Sequence, residues 1–142
     1  MSQPKPTLLL VEDNEDDVFL MRRALRAANI TLPLQLAQDG QEAIDYLDGI
    51  GQFADRAQYP LPTLILLDLK LPYIPGLQVL TWIRYREGLK DLPVIVLTSS
   101  PEDKDRDKAA ELGALSYHVK PPGREVIVEL TKALEMLAAP KE

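Results

Sequence analysis

Five polar residues stand where apolar runs end, and their types suit phosphoryl chemistry. Glu12 and Asp13 directly follow Leu8-Leu9-Leu10-Val11, and Asp68 directly follows Leu64-Ile65-Leu66-Leu67. Thr98 closes Val94-Ile95-Val96-Leu97, and Lys120 directly follows Tyr117-His118-Val119. Three carboxylates brought face to face repel unless a cation or a shared proton relieves them, and one lysine cannot balance three charges. A divalent metal resolves the conflict. With oxygen donors and no cysteine in the chain, hard Mg²⁺ is favoured, because it keeps several waters and completes its shell with a phosphoryl oxygen. Asp68 is the central group, and a carboxylate can take phosphoryl as an acyl phosphate. A cation on one side and Lys120 on the other would neutralise the phosphoryl oxygens, with the Thr98 hydroxyl donating to a third.

These residues converge only if the runs that carry them are neighbouring strands. Apolar runs at 7–11, 33–37, 63–67, 93–98 and 116–119 are short and bounded by turn residues or charge, and they predict five strands. Between and after them lie segments of helical period. Val18, Met21, Leu25 and Ala28 recur on one face, as do Val126, Ile127, Leu130, Leu134 and Leu137. Segments 41–48, 77–86 and 102–112 supply three more helices, with Gly88 and Gly113 near their ends. Alternation of this kind predicts an α/β fold, a parallel sheet with helices on both faces, whose ligand lies at the carboxyl ends of the strands. The long connection 49–62, with Gly51, Pro60 and Pro62, reads as a tolerated surface insertion.

Composition narrows the function classes. At 142 residues the chain has the size of one domain, and its 46% apolar and 27% charged residues are the balance of a folded protein. The absence of cysteine excludes disulfides, thiolate metal sites and thiol catalysis, and suits a reducing cytoplasm. A net charge of −6 disfavours nucleic-acid binding. Residues 1–6 have no secretory pattern, and no apolar stretch reaches membrane-spanning length. The acids Glu12, Asp13, Glu15, Asp16 and Asp17 cluster directly after an apolar run, a placement that favours a cation.

Over essentially its whole length the chain resembles the CheY-like receiver domains of two-component response regulators. The resemblance rests on Val-Glu-Asp-Asn at 11–14, Leu-Leu-Asp-Leu-Lys-Leu-Pro at 66–72, Val-Leu-Thr-Ser-Ser at 96–100 and Val-Lys-Pro at 119–121. It implies a five-stranded parallel sheet of order 2-1-3-4-5, the flavodoxin-like receiver fold. It also implies one receiver over residues 1–142, with a core of about 7–138 and no output domain. By the same resemblance Asp68 is the phosphoacceptor, Thr98 the switch hydroxyl, Lys120 the phosphoryl-binding lysine and Tyr117 the aromatic switch. Asp13 and Asp68 would bind Mg²⁺ through side chains, Lys70 through its main-chain carbonyl and Glu12 through water, and the peptide before Pro121 would be cis.

The implied function is that of a phosphorylation switch and not an enzyme with a substrate of its own. Asp68 takes phosphoryl from a sensor histidine kinase, and the signal leaves by protein contact or phosphorelay. A homodimer through the fourth helix, fifth strand and fifth helix also follows from the resemblance. Gly51-Gln52-Phe53 and Tyr59-Pro60-Leu61-Pro62 are similar to the stand-alone receivers that partner bacterial phytochrome-like kinases. Ile74-Pro75-Gly76 departs from the family pattern of an aspartate-glycine pair and the doubled Pro121-Pro122 is less common, while Lys70 and Ser100 occupy variable positions that the resemblance associates with phosphoryl lifetime.

Other functions fit the residues less well. A phosphatase of the haloacid dehalogenase type expects a second aspartate where Lys70 stands, and no phosphate-binding Gly-x-x-x-x-Gly-Lys loop is present. A pure docking module would need none of Glu12, Asp13, Asp68, Thr98 and Lys120. His118 reads as a packed or edge residue, and Trp82 as a half-buried helix residue able to touch a partner.

Overall fold

The runs Leu8–Val11, Leu64–Leu67 and 94–97 are apolar on both faces, and the computed structural model, which describes residues 6–138, shows why. The elements run β1 (Leu8–Val11), α1 (Glu15–Ala27), β2 (Leu34–Ala37), α2 (Gly40–Asp48), β3 (Leu64–Leu67), α3 (Gly76–Arg84), β4 (Val94–Thr98), α4 (Asp103–Glu111), β5 (Ser116–Val119) and α5 (Arg124–Ala138). All strand pairs are parallel, in the order β2-β1-β3-β4-β5. Successive side chains alternate between faces. Leu9, Val11, Ile65, Leu67, Val94 and Val96 therefore meet Tyr46, Leu47, Val79, Leu80 and Ile83 of α2 and α3. Leu8, Leu10, Leu64, Leu66, Ile95 and Leu97 meet Met21 and Leu25 of α1 and Val126, Leu130 and Ala133 of α5.

Local chemistry sets the helix starts beside the site. Asn14 caps α1 by accepting the Asp17 N–H at 3.0 Å, and Glu15, Asp16 and Asp17 fill the first turn, where the helix dipole favours negative charge. Asp39 caps α2 in the same way, accepting the Glu42 N–H at 2.7 Å, and α2 ends on left-handed Gly49. The third helix begins at Gly76 and ends at Arg84, two residues short of the expected 86, because the chain turns off through 85–92 before β4.

The connection 49–62 lies at the surface, with most of its residues exposed or half-buried, and it is ordered by packing of its own. Residues Gly51–Phe53 form a 3-10 helix that buries Phe53, whose ring lies 5.0 Å from that of Tyr46 and 5.1 Å from that of Tyr59. Arg56 donates to the carbonyls of Tyr46, Leu47 and Tyr59 at 2.7, 2.8 and 3.1 Å, and so ties the last turn of α2 to the connection that follows it. The Tyr46 hydroxyl donates to Pro60 O at 2.8 Å, and burial pushes its pKa up to about 12. The loop is packed as a layer under α2.

Candidate functional site

Backbone hydrogen bonds carry the parallel ladders one residue past the strand ends and thereby place the polar residues. Glu12 N–H donates to Ala37 O at 2.9 Å, Asp68 N–H to Val11 O at 3.1 Å, and Lys120 N–H to Thr98 O at 2.8 Å. Asp68 thus follows the central strand β3, beside β1, at the point where the strand order reverses and the carboxyl ends open a crevice. The turn after it depends on Gly76, whose N–H donates to Leu69 O at 3.0 Å. A Cβ at Gly76 would run into the Asp68 carbonyl oxygen and the Leu69 Cα, so the close approach in the turn of Ile74-Pro75-Gly76 requires the glycine.

The ligand atoms of Glu12, Asp13 and Asp68 lie within 4.8 Å of one another. Lys120 Nζ joins them, at 2.6 Å from Glu12 Oε1 and 2.9 Å from Asp68 Oδ2. Its third contact, Asp17 Oδ2 at 2.8 Å, was not expected: Asp17 stood out only as one acid among several. The other oxygen of Asp68, Oδ1, accepts the Lys70 N–H at 3.0 Å, so the main chain at Lys70 adjoins the carboxylate while its side chain is exposed.

Electrostatics follow from burial. Desolvation raises the Glu12 pKa, the Lys120 hydrogen bond opposes it, and the Asp68 charge adds to it, leaving Glu12 at about 7. For Lys120 burial acts downward, but hydrogen bonds to Asp17, Asp68 and Glu12 outweigh it and hold the ammonium well above its ordinary value. The lysine is therefore charged. Three carboxylates with oxygen donors alone, one of them driven toward its neutral form by burial and by the neighbouring Asp68 charge, fit a hard divalent cation. Asp13 is the exposed member of the group, and Glu12 and Asp68 are each 3% exposed.

Thr98 is wholly buried and lies one residue beyond the level of Asp68 on the adjacent strand, since Leu67 pairs with Val96. Beyond it, Ser100 Oγ donates to Asp105 Oδ2 of α4 at 2.6 Å, and the Tyr117 hydroxyl donates to Ser100 O at 2.8 Å. Arg106 lies 4.8 Å over the Tyr117 ring. The loop after Thr98 is thus tied to both α4 and β5. The Ser100–Asp105 bond had no signal in the sequence. The Lys120–Pro121 peptide is cis. His118 contacts Ser116 Oγ at 2.8 Å and stands apart from the carboxylate group, and Trp82 is half-buried with Arg86 5.3 Å over its ring. An apolar cleft of about 350 Å³, lined in part by Ile30, Leu32, Leu134 and Leu137, lies at the opposite strand ends, away from this chemistry.

Residues 8–132 match the response regulator receiver domain. The chain belongs to the response-regulator receiver family. The receiver is 34% identical over 134 residues to the response regulator Rcp1 of Synechocystis sp., covering 94% of this chain and 89% of Rcp1. The manganese-bound structure of Rcp1 matches the receiver at a TM-score of 0.76 with 33% identity, covering 97% and 98% of the two chains. The bacteriophytochrome response regulator AtBRR matches at a TM-score of 0.80 with 35% identity, covering 99% of this chain and 97% of that one. The phosphorylated cyanobacterial phytochrome response regulator RcpA matches at 0.76 with 33% identity, covering 92% and 91%. The five-stranded sheet of order 2-1-3-4-5 is the receiver fold. No helix among the described residues is long and apolar enough to cross a membrane.

Proposed function

We propose that the receiver accepts a phosphoryl group on Asp68 from the phosphohistidine of a sensor histidine kinase, with Mg²⁺ in the carboxylate cluster. In the transfer the P–N bond to imidazole breaks, a P–O bond to an Asp68 carboxylate oxygen forms, and the imidazole leaves with the electron pair and takes up a proton. The observation that carries this reading is the gathering of Glu12, Asp13 and Asp68 within 4.8 Å, with the Lys120 ammonium 2.9 Å from Asp68. Asp13 and Asp68 would hold the cation through side chains, with Lys70 supplying its carbonyl and Glu12 acting through water. Bound there, the cation would offset charge on the nucleophile and on the donor. Lys120 and the Thr98 hydroxyl bind the phosphoryl oxygens and draw the loop after β4 inward, so that Tyr117 follows.

Likeness to AtBRR, Rcp1 and RcpA supports a phytochrome-like kinase as the donor, acting in the cytoplasm. The signal leaves by phosphorylation-dependent contact or relay, and a homodimer forms through α4, β5 and α5. That face exposes Leu115, Val119 and Val128, which a second copy would cover.

Incubation with acetyl phosphate tests the central reading. Intact mass should rise by one phosphoryl group only with Mg²⁺ present, and Asp68→Asn should show no adduct. A hydroxylamine-sensitive adduct that persists in Asp68→Asn would place the acceptor elsewhere.

A further inference from the structure

Lys120 is held by one carboxylate that the cation cluster does not include. An ammonium has three N–H donors, and here Glu12 Oε1, Asp17 Oδ2 and Asp68 Oδ2 take them at 2.6, 2.8 and 2.9 Å. Glu12 and Asp68 belong to the group whose oxygens can share a metal, and Asp17 does not. Its side chain is 28% exposed, against 4% and 3% for the other two. It stands on the first turn of α1, a helix anchored in the core by Met21 and Leu25.

A divalent cation bound directly by Asp68 and through water by Glu12 would weaken the attraction of both carboxylates for the ammonium, whereas Asp17, outside that group, would not share its charge with the cation. A lysine stem is flexible, and an ammonium left without a partner gains rotamer freedom that must be lost again to grip a ligand. Resting on the reading of Asp68 as phosphoacceptor, we infer that Asp17 is a positioning residue that keeps Lys120 aimed at the phosphoryl oxygens once the cation occupies the cluster. Asp17 touches neither phosphoryl group nor metal, and it acts through Lys120. A role confined to the helix dipole would alter the stability of α1 and leave the grip on phosphoryl unchanged.

The test is calorimetric titration of the full chain with fluoroberyllate, a stable phosphoryl mimic, at saturating Mg²⁺. Asp17→Ala should weaken binding about fivefold, the scale of a partly exposed ion pair. Asp17→Asn, which keeps an acceptor oxygen without the charge, should fall between Asp17→Ala and wild type. In a Lys120→Ala background the Asp17→Ala change should have no further effect. Equal affinity in wild type and Asp17→Ala would overturn the inference and leave the phosphoacceptor reading standing, and so would the same loss with Lys120 absent. Failure of the wild type itself to bind fluoroberyllate with Mg²⁺ would overturn both. If Asp17→Ala does not fold, Asp17→Asn carries the same comparison.

Discussion

Glu12 and Asp13 are adjacent in the chain and opposite in circumstance. Glu12 is buried with Lys120 on one oxygen and the Asn14 N–H 3.3 Å from the other, so its carboxylate is engaged before any cation arrives. Asp13 is exposed and free to turn toward a metal. Asp13→Ala should therefore weaken Mg²⁺ binding by about tenfold or more, and Glu12→Ala should do less. Equal Mg²⁺ affinities for wild type and Asp13→Ala would remove it from the ligand set. His118 offers a second check at this scale. Burial lowers its pKa, against the pull of Glu129 and Glu125 and with the push of Arg106. Its folded pKa lies below the unfolded value, so the unfolded state binds more protons between the two. Stability is lost as pH falls from about 6.5 through the lower folded value. His118→Gln should flatten that part of a urea-denaturation profile, and an unchanged slope would show that the ring titrates alike in both states.

At the scale of elements, the connection 49–62 is where composition says least. Gly, Pro and polar residues mark it as the surface segment that it is, yet Phe53 is 5% exposed and Arg56 donates to three carbonyls. Phe53→Ala should destabilise the fold by about 3 kcal/mol, as for other buried aromatic truncations, measured by equilibrium denaturation. A change within experimental error would mean that the segment can detach without disturbing α2. Arg84 ties elements together in the same way, donating to Leu92 and Leu112 carbonyls at 2.7 and 2.6 Å, so that α3 is joined to the end of α4 and to the approach to β4. Neither arginine has a carboxylate partner in these contacts. Charge pairing, the feature most visible in a sequence, could not have singled them out.

For the whole molecule, phosphorylation matters through the equilibrium that it biases. The loop after Thr98 is bound to α4 through Asp105 and to β5 through Tyr117, so a movement of that loop would pull on both elements. Coupling of this kind is typically worth ~1–3 kcal/mol. Sedimentation with and without fluoroberyllate should show a tighter dimer in wild type and a reduced response in Thr98→Ala. A monomer–dimer constant that the mimic leaves unchanged would exclude dimerisation as the output, and an undiminished response in Thr98→Ala would take Thr98 out of the switch.

The apolar runs, the helical periods and the polar residue closing each run are short-range patterns, and they determined from the chain alone that strands and helices alternate and that Asp68 ends a buried strand. The family motifs, also contiguous, supplied the strand order and the proposed roles of Glu12, Asp13, Asp68, Thr98 and Lys120. Pairings across long separations were beyond this reach. Lys120 meets Asp17 across 103 residues and Asp68 across 52, and Tyr117 meets Ser100 across 17. Folding decides which acid a lysine finds, because strand neighbours and helix rotation place the two side chains. Nothing in the run of acids at Glu15, Asp16 and Asp17 distinguishes the one that the first turn of α1 aims at the lysine.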